Sequence, residues 1–529
     1  MDRTRIPSSV TLLLLGALVG AGLVTVGAGA AGTPGQDPGS TAPAAGAANQ
    51  PTAANQPTAA SQPTAAPAAP ATPAPIAYVG EFALAPKHGQ PGTNVTASGS
   101  GFSPNVEMQL VWQAFRGSWK VDMADPANFK GRAYDEELVP LTTARTDAGG
   151  AFSASFEVPE GFGFGHDVRV LEEGVVRNQA AFKVDMQFSV TPSSGPPGTP
   201  ITIDVKGVGV TGLTRSWLVT YDNRFTGWLS SVTTQGHARA VIPATGGPGK
   251  HVIKIVHGSF TFPYLNPAQS PDPTRPTYTA IFTVTDGQPI LPPPAETQAI
   301  VSSDRAERPA GTGPVVWPDR VEATVGASFV LEGAGLPART TFDVLWKTQV
   351  GVDTGIIGGT GQARPDADWE IGTVTSDASG AFRADFEVPK DKGGSHEISL
   401  VSGDKIVANT ALRVRPSVLA LSPARGPVGT EIEINIQGVD DTDTGKILML
   451  VYDNAMLGYS CSVTAQGNIT IFLPATGEPG IHYIDFYPGL YKGTDVEGVY
   501  NFRIPQLTYA DDHPGEVLPA FHLAFEITP

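Results

Sequence analysis

Gly195-Pro196-Pro197-Gly198-Thr199-Pro200-Ile201-Thr202-Ile203 occurs twice in this chain, and the second copy is Gly426-Pro427-Val428-Gly429-Thr430-Glu431-Ile432-Glu433-Ile434. The two copies are 231 positions apart. The offset holds without a gap between residues 192–258 and 423–489, where 28 of 67 pairs are identical. Identity at this level over an ungapped stretch indicates an internal duplication.

A second type of unit precedes each copy. Residues 147–159 and 377–389 share an Asp/Gly turn followed by alternating Phe and Val, which is typical of a hairpin and a half-buried strand. Earlier in each unit, a strand with period-2 alternation ends at Trp112 or Trp346. The order of the units is therefore A-B-A-B.

The predicted fold class is all-β, with four tandem immunoglobulin-like sandwiches. No sustained 3.6-residue apolar period occurs in either unit, so long helices are not expected. Short alternating strands with Gly/Pro turns, in units of about 100 residues, favour antiparallel sandwiches. The predicted bounds are 76–184 for A1, 185–287 for B1, 288–314 for a linker, 315–414 for A2 and 415–529 for B2.

The N-terminus has the pattern of an export signal. Arg3 and Arg5 precede an apolar run at 10–26, and Ala28-Gly29-Ala30 suits signal peptidase. Residues 1–30 are predicted to be a signal peptide cleaved after Ala30, with an uncleaved membrane anchor as the alternative. Residues 31–75, rich in Ala, Pro and Thr, are predicted to be a disordered tether. Both interpretations predict a secreted, extracellular or cell-surface protein.

Composition narrows the range of partners. The formal charge of −17 opposes binding to nucleic acid and to anionic membranes, so membrane association is expected only through an uncleaved N-terminal segment. Cys461 is the only cysteine, which excludes an intrachain disulfide and a cysteine metal cluster. It aligns with Ser230 and is expected to be buried or half-buried in a strand.

The pattern Pro-x-x-Gly-Pro-x-Gly-Thr-x-Ile-x-Ile, which begins at Pro192 and Pro423, resembles the IPT/TIG class of immunoglobulin-like domains. The type-A pattern is similar to immunoglobulin-like repeats of bacterial secreted and surface proteins. The resemblance implies a β-sandwich fold and carries no shared catalytic residues. Function must therefore be argued from individual sites.

The most pointed polar motif is shared by both B units. Its residues, with the aromatic that follows each copy, are Tyr221, Asp222, Asn223 and Trp228, then Tyr452, Asp453, Asn454 and Tyr459. An Asp-Asn pair beside an aromatic at a strand end can bind a sugar, or Ca²⁺ through oxygen ligands. The favoured interpretation is an Asx-type turn between two strands, with the aromatics filling the sandwich.

The stretches after the two tryptophans, 113–138 and 347–368, differ most between the halves. The first carries Trp119 and Tyr134 among acidic residues. Long loops on a rigid scaffold often carry binding sites, and an aromatic and acidic loop suits a glycan or peptide. A decorated hairpin without a partner is the equal alternative.

Metal sites find little support in the sequence. Asp440, Asp441 and Asp443 resemble the front of a calcium loop, but the twelfth-position Glu is missing and the other copy has Gly209 to Leu213 there. A solvated acidic turn is favoured over a Ca²⁺ site, and no other cofactor is expected. The pairs His166/His396 and His251/His482 are attributed to packing or hydrogen bonding at strand entries.

Catalysis is not predicted. The chain has no Gly-x-Ser-x-Gly elbow and no His-Glu-x-x-His motif. The predicted function is non-catalytic binding or adhesion outside the cell, to a glycan or protein ligand, with avidity if two equivalent halves both engage. The alternatives are a structural spacer or envelope component, and an accessory carbohydrate-binding part of a carbohydrate-active system.

Overall fold

The structure is a computed structural model. It describes residues 78–122, 128–212, 214–215, 217–259, 262–269, 276–351, 365–440, 447–490 and 504–529. The predicted signal peptide and tether lie outside these residues. Within them, no helix has the length and apolar character needed to cross a bilayer.

The described chain consists of β-strands and turns, with 3-10 helices of three residues each at Pro267–Gln269, Ala295–Thr297 and Val463–Ala465. The strands form four sandwiches, and each sandwich packs a three-stranded sheet on a larger one. The predicted all-β class of tandem immunoglobulin-like sandwiches is confirmed. We keep the names A1, B1, A2 and B2 for the four sandwiches.

Each sandwich is built from eight or nine strands, numbered in chain order. A1 contains β1 (Glu81–Ala85), β2 (His88–Gly89), β3 (Asn94–Ser100), β4 (Glu107–Asp122), β5 (Asn128–Arg145), β6 (Phe152–Glu157), β7 (Phe164–Glu172) and β8 (Val175–Val184). B1 contains β9 (Gln187–Thr191), β10 (Ser194–Gly195), β11 (Pro200–Lys206), β12 (Trp217–Tyr221), β13 (Arg224–Leu229), β14 (Ala238–Pro243), β15 (Gly249–Ser259), β16 (Phe262–Pro263) and β17 (Tyr278–Val284). A2 contains β18 (Val315–Pro318), β19 (Glu322–Thr324), β20 (Ser328–Ala334), β21 (Thr341–Gln349), β22 (Asp366–Thr375), β23 (Phe382–Glu387), β24 (Gly394–Ser402) and β25 (Lys405–Arg415). B2 contains β26 (Ser417–Val418), β27 (Arg425–Gly426), β28 (Glu431–Gln437), β29 (Ile447–Tyr452), β30 (Ala455–Cys461), β31 (Ile469–Pro474), β32 (Gly480–Pro488) and β33 (Phe521–Ile527).

All four sandwiches share one topology. The three-stranded sheets have the orders β1-β3-β6, β9-β11-β14, β18-β20-β23 and β26-β28-β31. The larger sheets have the orders β2-β8-β7-β4-β5, β10-β17-β15-β12-β13, β19-β25-β24-β21-β22 and β27-β33-β32-β29-β30, with β16 added to β15 in B1. In each larger sheet the short second strand of the sandwich lies parallel to its last strand. The A and B units are therefore variants of one plan.

The duplicated opening stretch forms a turn followed by β11 or β28. Gly198 and Gly429 have φ of +81° and +87°, a backbone conformation that favours glycine. In β11 the alternate residues Ile201, Ile203 and Val205 are fully buried, and β28 buries its isoleucines at the same positions. Burying each such side chain stabilises the fold by about 1.5–3 kcal/mol. Turn geometry and alternation together fix the register of both sandwiches.

A histidine occupies the third position of the same strand in every sandwich. These residues are His166 in β7, His251 in β15, His396 in β24 and His482 in β32. Each imidazole stacks on an aromatic ring of the neighbouring strand, with ring centroids 4.6 to 5.6 Å apart. This shared feature supports a common plan for the A and B units.

The A–B contact is repeated in both halves. The Gly163 backbone N–H donates to Val208 in the first half, and Gly393 donates to Val439 in the second, at 3.0 and 3.1 Å. Gln235 of B1 bonds to the backbone of A1 through both ends of its amide. Its equivalent, Gln466 of B2, bonds to A2. Each A–B pair is thus joined by corresponding contacts.

A segment of B2 closes the open edge of B1. Trp228 in the edge strand β13 donates its backbone N–H to Pro505 at 2.7 Å and accepts from Leu507 at 2.9 Å. The Ser230 N–H donates to the Thr508 hydroxyl at 3.0 Å. An exposed edge leaves backbone groups open to pairing with other chains. Here they pair within the chain, across the two halves.

Asp512 lies at the centre of this contact and is fully buried. Its carboxylate accepts from Trp119 Nε1 of A1 at 2.8 Å and from the backbone N–H groups of Val232 and Thr233 of B1 at 2.8 and 2.9 Å. The Thr233 hydroxyl also donates to it, at 2.7 Å. One carboxylate of B2 therefore binds A1 and B1 together.

One expectation needs correction. Cys461 is exposed at the end of β30. Residues of this strand alternate in their exposure, and Ser460 rather than Cys461 faces inward. The described residues after Pro75 belong to one compact unit, and avidity from engagement of both halves stays a prediction.

Replacing Asp512 by Ala is expected to lower the free energy of unfolding by about 2–4 kcal/mol, because it leaves several buried donors without an acceptor. Thermal and urea denaturation of the purified chain would measure the loss. Asp511→Ala is the matched control, since Asp511 is the exposed neighbour of Asp512. Equal stability of the two variants would contradict the role given to Asp512.

Candidate functional site

Both Tyr-Asp-Asn motifs form two-residue hairpin turns. Asp222 and Asn223 connect β12 to β13 with φ of +49° and +62°, and Asp453 and Asn454 connect β29 to β30 with φ of +45° and +60°. Two successive positive φ values define the turn type that matches the twist of a two-residue hairpin, and Asp and Asn tolerate it well. The local sequence therefore accounts for both turns.

The aspartate of each turn holds the stacked histidine. Asp222 accepts the Val252 backbone N–H at 2.8 Å, and its second oxygen lies 2.6 Å from His251 Nδ1. Asp453 contacts the Tyr483 N–H at 3.0 Å and His482 Nδ1 at 2.6 Å. The Asp-to-His separation is 29 residues in both copies. The partnership could have been found in the sequence from this constant spacing.

The tyrosine of each motif is also engaged within its own sandwich. The Tyr221 hydroxyl donates to the Thr245 carbonyl at 2.9 Å, and the Tyr452 hydroxyl donates to Thr476 at 2.8 Å. Burial raises the pKa of both tyrosines above the usual value. Both hydroxyls therefore remain protonated and serve as donors to the backbone.

The electrostatics of His482 differ from those of a histidine in solution. Burial lowers its pKa, but the hydrogen bond to Asp453 and the charge of that carboxylate raise it more, with help from the Glu478 carbonyl. The net pKa lies above the usual value. Its Nε2 contacts the Glu478 carbonyl at 2.8 Å, so both ring nitrogens face acceptors. The arrangement stabilises the imidazolium.

The two turns line one cleft between B1 and B2, with a volume of ≈ 690 Å³. Tyr221, Asp222 and His251 contribute from B1, and Tyr452, Asp453 and His482 contribute from B2. The remaining walls include Arg224, Leu457, Glu478 and the prolines Pro197, Pro248, Pro289 and Pro479. The sequence motif predicted as a candidate site thus appears twice in a single concave surface.

The duplicated turns are not equivalent in this cleft. Asn454 is fully buried; its side-chain amide donates to the Pro243 carbonyl at 2.8 Å, and its backbone carbonyl accepts from the Thr226 hydroxyl at 2.7 Å. Asn223 is exposed. The B2 turn therefore docks onto B1, and the B1 turn remains open to the cleft.

The other candidate residues lie apart from the cleft lining. Trp228 is buried, with the Arg132 guanidinium 5.6 Å from its ring and Trp119 edge-on to it at 6.4 Å. Tyr134 packs edge-on against Phe162 at 5.4 Å, and burial raises its pKa. Tyr459 is exposed. Trp119, Tyr134 and Trp228 thus contact their own chain, and ligand binding by the candidate residues stays a prediction.

The calcium candidate is only partly described. Asp440 is half-buried, and Asp441 and Asp443 lie outside the described residues. Among the residues that the structure describes, no three His, Cys, Asp or Glu side chains are grouped so as to hold a metal ion.

Comparisons with known proteins identify no family for this chain. No family model and no curated protein matches. Among solved structures, native Escherichia coli alpha-2-macroglobulin is 11% identical with a TM-score of 0.16, covering 84% of this chain and 30% of that one. The putative membrane anchored protein of Corynebacterium diphtheriae is 13% identical with a TM-score of 0.17, covering 63% and 91%. The Yersinia pseudotuberculosis adhesin InvE is 12% identical with a TM-score of 0.19, covering 47% and 70%. The chain spans 30% to 42% of the length of the alpha-2-macroglobulins it matches.

Replacing His482 by Asn is expected to destabilise the protein more at about pH 5.5 than at about pH 9. Because the folded pKa is raised, the contribution of His482 is fully present below the unfolded pKa of about 6.5 and is lost as pH rises through the folded pKa. At the lower pH, losing hydrogen bonds to a charged group costs about 1.5–3 kcal/mol. Urea denaturation at both pH values measures the difference.

The control is His88→Asn, because the His88 side chain is 70% exposed although it also contacts an aspartate, Asp185, at 2.7 Å. That exposed pair should contribute little at either pH. A His482 effect that is independent of pH, or larger at high pH, would argue against a stabilising imidazolium.

Proposed function

We propose that this chain is an exported, non-catalytic binding protein whose ligand site is the cleft between B1 and B2. The observation that carries the proposal is the cleft itself, which has a volume of ≈ 690 Å³ and is lined by both halves. Ligand sites are concave, of about 300–1,000 Å³, and mix apolar walls with a few polar groups. Proline, leucine and tyrosine walls with flanking charged residues fit that description.

The state of the cleft histidines supports binding over catalysis. The ring nitrogens of His251 contact Asp222 and the Gly247 carbonyl, and those of His482 contact Asp453 and the Glu478 carbonyl. A general base needs a ring nitrogen within reach of the ligand proton it removes. The ring nitrogens of His251 and His482 are already hydrogen-bonded within their sandwiches, so they stabilise the fold and are not positioned to remove a ligand proton.

The ligand class we propose is an extracellular glycan or peptide. The cleft presents the exposed Arg224 and Glu478 beside the half-exposed Leu457, so it offers both signs of charge next to an apolar surface. The overall charge of −17 opposes nucleic acid as the ligand. We assign the B sandwiches to the IPT/TIG class on their opening pattern, and the location outside the cytoplasm to the N-terminal export pattern.

A structural spacer is the second candidate. It is favoured by the observation that the carboxylates and hydroxyls of both Tyr-Asp-Asn motifs are hydrogen-bonded within the chain. In that case the cleft is a by-product of joining the two halves.

Glycan and peptide arrays probed with the full chain test the proposal. For any ligand found, Leu457→Glu is expected to weaken binding at least about tenfold, because it places a charge against the apolar wall. The matched control is Phe472→Glu. Phe472 is similarly exposed, at 60% against 53% for Leu457, but lies on β31 away from the cleft. Binding that survives Leu457→Glu would exclude the cleft, and no binding to any array would favour the spacer.

A further inference from the structure

The A2–B2 junction contains a fully buried carboxylate, Asp391. One of its oxygens accepts from Trp346 Nε1 at 2.8 Å. The other accepts from the Thr348 hydroxyl at 2.9 Å, from Gln466 Nε2 at 2.6 Å and from the Lys392 backbone N–H at 2.8 Å. The donors around Asp391 therefore form a carboxylate-binding site, and the carboxylate that occupies it belongs to the chain itself.

The A1–B1 junction has the same stack of a tryptophan on a histidine. Trp112 stacks on His166 with centroids 4.7 Å apart and 22° between planes, against 4.6 Å and 17° for the Trp346–His396 stack. Trp112 pairs with Val168 in β7, as Trp346 pairs with Ile398 in β24. The tryptophan and histidine rings of the two junctions are thus placed alike by strand register.

The carboxylate is absent from the first copy. Asp391 lies two residues before Gly393, and the residue two before the equivalent Gly163 is Gly161. A Cβ placed on Gly161 would have only the Gln235 carbonyl oxygen nearby, at 4.0 Å. The space beside Gly161 is therefore open.

A cavity of ≈ 540 Å³ occupies this position, and its lining includes Trp112, Ala114, Gly161, Phe162, His166 and Gln235. Trp112 is buried, with an exposed fraction of 3%. Its indole N–H is hydrogen-bonded to no acceptor in the described part of the chain, whereas Trp346 donates to Asp391. An indole N–H is a donor only, so it is free to pair with an acceptor that enters the cavity.

We propose that the A1–B1 cavity binds a carboxylate-bearing ligand, whose carboxylate takes the place that Asp391 fills in the other half. The Trp112 indole N–H donates to the ligand. Phe115 and Phe162 line the same cavity and provide an apolar surface for the remainder of the ligand. At the mouth, Arg116 pairs with Glu137 at 3.1 Å and Lys206 pairs with Glu160 at 3.5 Å, so each acidic side chain there is matched by a basic one.

His166 gives a second, independent signature. Its ring nitrogens lie 2.7 and 2.8 Å from the carbonyl oxygens of Gln113 and Phe162, and burial lowers its pKa. In A2 the corresponding ring has an Asp391 oxygen 3.3 Å from its Nδ1. A carboxylate bound at the same place in A1 favours the charged ring and raises the pKa of His166.

The test is a nuclear magnetic resonance titration of the full chain labelled on tryptophan and histidine. The carboxylate probes are N-acetylglycine and glucuronate, which represent a peptide C-terminus and a uronic acid. N-acetylglycinamide and glucose are their neutral controls. The expected result is a saturable shift of one of the seven tryptophan indole signals, and a raised His166 pKa, with one or both carboxylates and neither neutral analogue. The probe that binds more tightly identifies the source of the carboxylate.

Trp112→Phe keeps an aromatic ring but removes the donor, and it is expected to weaken binding at least tenfold. Trp346→Phe is the matched control and should leave affinity unchanged. If Trp112→Phe does not fold, Ala114→Leu narrows the cavity and should also abolish the shift. The proposal is overturned by the absence of a saturable shift, by an equal response to the neutral analogues, or by equal loss in Trp346→Phe. Because this cavity is separate from the B1–B2 cleft, none of these results bears on the proposed function.

Discussion

The arrangement of the halves depends on the outer edge of β13, which has no neighbouring strand within its own sheet. Backbone N–H and C=O groups at a sheet edge must find partners or remain open to other chains. In this protein the partners of Trp228 come from residues 505 and 507, far along the chain. Asp512, a little further along the same segment, accepts hydrogen bonds from A1 and B1 in the same contact. This short segment, together with the Asn454 turn of B2, joins the two halves and sets B1 against B2.

Duplication and divergence have different physical signatures here. Residues that each sandwich needs for its own hydrogen bonds are kept in both copies, as with Asp222 and Asp453, which each hold a histidine and a backbone N–H. Residues at contacts between sandwiches differ in environment or identity. Asn454 is buried against B1 while Asn223 is exposed, and Asp391 corresponds to Gly161. The halves are therefore alike in their cores and unlike at their contacts.

Sequence reasoning predicted the fold because strand alternation, turn residues and the duplication are all local signals. It placed the Tyr-Asp-Asn motifs at strand ends for the same reason. It could not predict the cleft, because the approach of B1 to B2 depends on residues 504–512, which have no counterpart in the repeat and no periodicity. Trp119 was a candidate ligand-binding residue because it is aromatic and lies in the stretch 113–138. Its partner, Asp512, is 393 residues away, and no pattern in the sequence links the two.

Recognition in a duplicated protein should reside where the copies differ. A residue identical in both copies is accounted for by the needs of each sandwich, since the Tyr, Asp and His side chains of the cleft are hydrogen-bonded or stacked within B1 or B2. The differing positions of the cleft include Arg224 against Ala455 and Gly247 against Glu478. They place a positive charge on one wall and a negative charge on the other. The cleft is built from equivalent turns but is electrostatically asymmetric, so a ligand bound there would need no internal symmetry and would be held in one orientation.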